Sequence, residues 1–208
     1  MTGKIVSVAP TEKYFSLTWK LTNRCNYDCM YCPPAWHNNT DNDMHSLSTL
    51  QNAWTRILEK TSHLALPYKI SFSGGEVTIN KNFLPFVTWL KQNYQDKIFS
   101  LLLTTNGSAS QSYYSKLFES VDNVSFSFHS EHADEQKFFD TVLYLKNNIG
   151  ADKFLHVNIM NEFWNQHQIP RYVKLLQDNQ ISHSVNEIDY KLQTRTVPIF
   201  KKDASNDL

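Results

Sequence analysis

The sequence predicts an α/β fold built on a parallel sheet, and three observations carry that expectation. Strand-like apolar runs alternate with amphipathic helical stretches along most of the 208 residues. Polar residues cluster just past the ends of those runs, where α/β sheets assemble their sites. Hydrophobic residues make up 41% of the chain and aromatics 13%, enough to bury a core in a single domain. The domain is expected over 1–208, with a core at about 14–190 and a polar tail, ending KKDASNDL, over 191–208.

The elements follow in order. Tyr14 to Thr22 (YFSLTWKLT) mixes aromatic, branched and polar residues as a strand does. A cysteine-bearing loop comes next, then an irregular polar linker, HNNTDNDMHS. Leu47, Leu50, Trp54, Ile57, Leu58 and Thr61 recur at helical spacing over 47–62. The strand YKISF runs directly into SGGE, and Phe83, Phe86, Val87 and Leu90 mark the next helix.

A third strand spans 98–104 and ends in TNG, followed by a helix at 110–119 carrying Tyr113, Tyr114, Leu117 and Phe118. A fourth strand at 121–129 precedes a helix marked by Phe138, Phe139, Val142 and Leu145. The fifth strand is 153–160, the last helix about 169–178, and the sixth strand 181–189. Six strands separated by helices imply crossover connections and therefore a parallel sheet. Periodicity alone leaves a doubly wound sheet and an open partial barrel equally open.

Twenty basic side chains offset twenty acidic ones, so no net field favours nucleic acid or an acidic membrane surface. The N-terminal MTGKIVSVAP lacks the apolar core of a signal peptide. No stretch approaches the roughly 18 apolar residues of a membrane span. A cytoplasmic, non-membrane protein is expected.

The three cysteines, Cys25, Cys29 and Cys32, sit in CNYDCMYC with gaps of three and two residues. That is too tight for a disulfide framework, and clustered thiols in a reducing compartment suit metal. Electron-transfer 4Fe-4S sites use four thiolates, and the sequence has no fourth cysteine. A cluster on three would leave one iron open to a small molecule. Structural zinc, completed by His37, or a noncatalytic iron-sulfur protein acting in electron transfer or interaction, is the alternative. Zinc leaves the glycine-acid motif unexplained.

Two motifs then resemble the radical S-adenosylmethionine superfamily: CNYDCMYC, with the aromatic Tyr31 before its last cysteine, and SFSGGEVTI at 71–79. They occur in order, one βα unit apart, and the resemblance covers about 14–190. It implies a parallel (β/α)6 partial barrel of TIM type. It also implies one 4Fe-4S cluster on the three cysteines, with S-adenosylmethionine (SAM) chelating the fourth iron. Reductive cleavage of SAM would give a 5′-deoxyadenosyl radical that abstracts hydrogen from an organic or peptide substrate.

Under that resemblance Gly74 and Gly75 bring backbone close to the methionyl end, and Glu76 helps position its ammonium. Tyr31 packs beside the adenine. Thr105 and Asn106 line the cofactor pocket from the third strand, and Ser127 and Asn158 do so from the fourth and fifth. His129 follows Ser127 by two positions, so alternation directs both to one side, and it is the proton-transferring candidate for substrate. Glu187 and Asp189 share a face of the last strand and are expected to reach substrate. Packing, turn and exposed-edge roles compete for these same residues.

The resemblance further implies an external one-electron donor such as flavodoxin or ferredoxin. The small-molecule or peptide substrate stays unnamed. The sequence reaches the sixth strand without a cysteine-rich extension, so the expected open barrel would admit a large substrate or be covered by a partner protein.

Overall fold

The computed structural model describes residues 13–33 and 44–188. Six parallel strands form one sheet: β1 (Phe15–Lys20), β2 (Tyr68–Ser73), β3 (Ile98–Thr105), β4 (Asn123–Phe128), β5 (Phe154–Asn161) and β6 (Ser182–Glu187). Five helices connect them: α1 (Leu47–Thr61), α2 (Phe83–Tyr94), α3 (Gln111–Phe118), α4 (Glu135–Asn148) and α5 (Ile169–Asp178). The strands run β1-β2-β3-β4-β5-β6 across the sheet, without the reversal that defines a doubly wound fold. Right-handed crossovers taken always in one direction put every helix on the same face. The result is a (β/α)6 partial barrel with β1 and β6 as its edges among the described residues.

Helix starts follow local chemistry. Ser46, Ser110 and Asp134 each accept a hydrogen bond from the backbone N–H three residues on, at Thr49, Tyr113 and Lys137, satisfying a donor the helix leaves orphaned. Pro170 stands in the first turn of α5, where its missing N–H costs nothing. Helix boundaries agree with the sequence-based expectation to within a residue or two. Two outer strands are shorter than expected, at Phe15–Lys20 and Ser182–Glu187.

Alternation along the strands sorts the two faces. Tyr68, Ile70 and Phe72 of β2 are buried toward the helices, as are Val124, Phe126 and Phe128 of β4. Trp54 of α1 meets Tyr68 edge-on at 5.1 Å between ring centroids, and Phe72 meets Phe83 at 5.3 Å. Further along the same face, Phe128, Phe139 and Tyr172 knit β4 to α4 and α5. Asp122 closes the lower edge of the sheet. Its Oδ2 accepts from Leu101 N at 2.8 Å and its carbonyl from Phe154 N at 2.9 Å, while Lys153 lies 3.4 Å from its carboxylate.

The inner face has a different composition. Lys69, Ser71 and Ser73 of β2, Ser125 and Ser127 of β4, and His156 and Asn158 of β5 occupy the alternate positions and are only partly buried. The interior of a closed eight-stranded barrel is filled by branched apolar side chains; here the described residues leave it open and largely polar. Phe72→Ala should lower the unfolding free energy by about 3–5 kcal/mol, measured by urea denaturation. Phe154→Ala, at a side chain 51% exposed on the inner face, should stay within about 0.5 kcal/mol of the parent.

Candidate functional site

At the carboxyl ends of the strands, β1 runs into the cysteine loop and β2 into the glycine turn. The two are joined backbone to backbone: Gly75 N donates to Thr22 O at 2.8 Å and Glu76 N to Arg24 O at 2.7 Å. A Cβ on Gly74 would stand 2.5 Å from Thr22 O, and one on Gly75 would stand 2.1 Å from Arg24 O. Backbone approach between these segments therefore demands glycine at both positions.

Cys25, Cys29 and Cys32 face one cavity of about 330 Å3, whose walls include Gly74, Gly75, Thr105, Asn106, Ser127 and His129. Within the loop, Cys32 N donates to Cys29 O at 3.0 Å and Tyr27 N to Cys25 Sγ at 3.4 Å. Burial pushes the Cys25 and Cys29 thiols above their ordinary range. A metal cation reverses that preference, because its charge deprotonates a coordinating thiol outright. The donor set fits an iron-sulfur cluster held through three corners, in a cavity of ligand-binding size.

Glu76 is fully buried, and its carboxylate is committed to protein donors. Oε1 accepts from Thr78 N at 2.9 Å, Thr78 Oγ1 at 2.7 Å and Thr105 Oγ1 at 2.8 Å, while Oε2 accepts from Asn106 N at 2.6 Å. Desolvation pushes its pKa up, and these bonds oppose the shift. The carboxylate thus ties the end of β3 to the glycine turn. Asn106 carries the tie onward, its amide donating to Asn26 Oδ1 at 2.9 Å and lying 3.8 Å from Cys25 Sγ.

A second set of contacts holds the loop from β4. His129 stands just past the strand, its ring stacked on Tyr31 at 5.9 Å, and Tyr31 Oη shares a hydrogen bond with His129 Nδ1. Met30 N donates to Glu131 Oε2 at 2.9 Å. Tyr27 stacks on His132 at 5.4 Å. Beneath them, the fully buried Glu162 accepts from Ser130, whose hydroxyl also receives the Trp164 indole N–H at 2.8 Å.

The structure therefore brings the cysteines, Tyr31, both glycines, Thr105, Asn106, Ser127 and His129 to one cavity. It places others elsewhere. Asn158 lies deeper, donating to Ser125 Oγ at 2.7 Å and accepting from Ser184 at 2.9 Å; Met160, next on that face of β5, lines the cavity. Glu187 accepts from Asn161 at 2.7 Å at the sheet edge. Asp189 and His37 lie outside the described residues.

Sequence reasoning missed Tyr27, Glu131, Glu162, Met160 and Thr104. Strand alternation through Asn158 was a sufficient signal for Met160. The two glutamates follow the ends of β4 and β5, so position alone was their available cue.

A sequence model described as the Radical SAM superfamily matches residues 19–156, more than half of the chain. A GTP 3′,8-cyclase of Pasteurella multocida is 35% identical over 96 residues, covering 46% of this chain and 27% of the relative. An S-adenosylmethionine-dependent nucleotide dehydratase of Selenomonas ruminantium is 31% identical over 94 residues, covering 45% of this chain and 30% of the relative. The chain thus spans under a third of the length of these curated relatives. The crystal structure of Streptococcus suis SuiB superposes with a TM-score of 0.59 at 17% identity, covering 85% of this chain and 40% of that one, a likeness of fold. No helix among the described residues is long and apolar enough to cross a membrane.

Gly75→Ala should cost about 1–3 kcal/mol in unfolding free energy by overpacking and lower iron bound per chain after reconstitution. Normal stability with full iron loading would show that the turn can yield. Glu76→Gln should cost about 1–3 kcal/mol, because its amide presents donors toward groups that already donate.

Burial, then the charge of His132, lowers the pKa of His129 from 6.5 to about 4. Between those values the unfolded chain binds the proton and the folded one does not. Stability is therefore lost as pH falls from 6.5 towards about 4. His129→Asn should reduce that loss by on the order of 2–3 kcal/mol, read as the difference between two urea-denaturation series. Parallel curves for parent and variant would contradict it.

Proposed function

The chain belongs to the radical SAM superfamily, and from that premise we propose that it is an enzyme holding a 4Fe-4S cluster on Cys25, Cys29 and Cys32 with SAM beside it. When bound, this pair supplies reductive cleavage of SAM to methionine and a 5′-deoxyadenosyl radical that takes a hydrogen atom from substrate. One observation carries the reading: three thiols on one loop share a cavity with the glycine turn and the ends of β3 and β4.

The chain's own residues bind, orient and exclude water. The thiolates hold the cluster. Gly74 and Gly75 bring backbone to the methionyl end, and Tyr31, Thr105, Asn106 and Ser127 present aromatic and hydrogen-bonding groups to the rest of SAM. Glu76 acts in this reading through the strand end it anchors, because its oxygens already serve Thr78, Thr105 and Asn106. Met160 contributes apolar wall, which helps keep a radical from solvent. His129 stays neutral near pH 7 and is positioned to handle a proton at the cavity wall. Asn158, below that wall, is kept as a polar contact toward the cofactor, and Glu187 and Asp189 are kept as residues toward substrate.

Hydrogen abstraction needs no acid or base in its first step, so the cofactors carry the chemistry and the protein supplies geometry. The substrate is an organic molecule or peptide. The electron comes from an external donor such as flavodoxin or ferredoxin, and clustered thiols suit a reducing cytoplasm. The open edge between β1 and β6 leaves room for a partner protein.

Electron paramagnetic resonance of the anaerobically reconstituted, reduced protein tests the proposal. Addition of SAM should change the cluster spectrum, and chromatography should detect 5′-deoxyadenosine. Cys29→Ala should reduce both signals to background. A fully loaded cluster indifferent to SAM, or a protein that takes up zinc alone, would overturn the reading.

A further inference from the structure

Below the cofactor cavity the inner face holds a second chamber of about 250 Å3. Ser71, Leu102, Thr104, Ser125, Phe154 and His156 give it their inward side chains, and three outer-facing strand residues complete its lining. Thr104 lines both chambers, so the lower one sits directly against the floor of the upper. Strand register builds it in layers: Leu102 pairs with Asn123 and Asn123 with Phe154, while Thr104 pairs with Ser125 and Ser125 with His156.

The chemistry of the lining is specific. No lysine, arginine, aspartate or glutamate contributes to it among the described residues. The cation lower on the same face of β2, Lys69, donates to Tyr14 Oη at 3.4 Å and lies 5.0 Å over the Tyr14 ring, so it is already engaged. Burial also lowers the pKa of His156, which favours the uncharged ring. An ionised ligand would leave water here without meeting an opposite charge.

The polar groups it offers a ligand are instead the hydroxyls of Ser71, Thr104 and Ser125, each able to donate and accept, while the His156 ring nitrogens are engaged by β6. They are held in place. His156 Nδ1 is 2.8 Å from Ser182 Oγ, and its Nε2 is 3.3 Å from Ser184 Oγ. Asn158 donates to Ser125 at 2.7 Å and accepts from Ser184 at 2.9 Å. Beside them Phe154, 51% exposed, stands near-parallel to His156 at 16° and presents a flat apolar surface. Hydroxyls around the edge and an aromatic plane on one side fit a ring whose rim is hydroxylated and whose face is C–H. At ~30 Å3 per water the chamber holds roughly eight waters' volume, the size of one such ring.

We propose that this lower chamber is the substrate site and takes an uncharged, hydroxyl-bearing single-ring compound of monosaccharide or cyclitol size. Its place under the cofactor cavity would present a ring C–H upward, so the reaction it undergoes rests on the radical-enzyme reading above. The binding itself does not, and can be measured separately.

The test is saturation-transfer NMR on the reconstituted protein with SAM, using D-glucose and myo-inositol against glucose 6-phosphate, myo-inositol 1-phosphate and guanosine triphosphate. At least one neutral ring should bind at or below about 10 mM, with its phosphate ester weaker by about tenfold or more. Ser125→Val should abolish the signal. Phe154→Ala, at an exposed side chain whose loss leaves folding intact, should weaken it by about tenfold. Binding of a phosphate ester or the triphosphate as tightly as the neutral ring would overturn the proposal. So would absence of binding by both neutral rings, or neutral-ring binding unchanged in both variants. Assaying 5′-deoxyadenosine in the same samples after anaerobic reduction with dithionite, which supplies the electron, separates the two claims: ring binding without it sinks the radical reading alone, and its formation without ring binding sinks this one alone.

Discussion

The constraint on which the site depends is the backbone contact between the cysteine loop and the turn after β2. Gly75 N and Glu76 N reach the carbonyls of Thr22 and Arg24, extending the β1–β2 ladder beyond the strands into the loop. Such a contact requires segments too close for any Cβ at Gly74 or Gly75. Satisfying loop carbonyls this way replaces water with fixed donors, so the thiol-bearing segment leaves β1 in a set direction.

Everything above the sheet is braced from that contact. Glu76 lies one residue beyond the glycines and reaches across to Thr105 and Asn106, fastening β3 to the same turn. Asn106 then returns to the loop at Asn26 and Cys25. The carboxylate is buried, which is costly alone but acceptable where each oxygen accepts from well-placed donors. From the other side, β4 supplies His129 to Tyr31 and Glu131 to Met30. The loop is held at both ends by groups from three strands, an arrangement suited to fixing ligands in orientation.

The polar inner face follows from the openness of the barrel. Among the described residues there are six strands with edges at β1 and β6, and these do not seal the interior. Serine, threonine, asparagine and histidine at its inward positions hydrogen-bond one another and still face solvent. The helix side bears the burden of stability, with its aromatic layers around Phe72, Phe126 and Phe128. One face of the sheet is thereby free to vary with the ligand, while the other keeps the fold.

Much of this was legible in the sequence because the signals are local. Strand alternation and helical spacing gave the element order, and the crowding of Cys25, Cys29 and Cys32 in one loop indicated a metal site. Alternation also placed Ser127 and His129 on one side, and both line the cavity. Tertiary structure decided what each polar group faces. The sequence offered Glu76 as a partner for a ligand ammonium; packing turned its carboxylate toward Thr78, Thr105 and Asn106. It offered Asn158 to the cofactor, yet Met160 stands at that level and Asn158 lies lower, among serines. Spacing along one strand is set by the backbone repeat, so sequence alone determines it. Height across the sheet is set by register between strands far apart in the chain, and only the assembled barrel determines that.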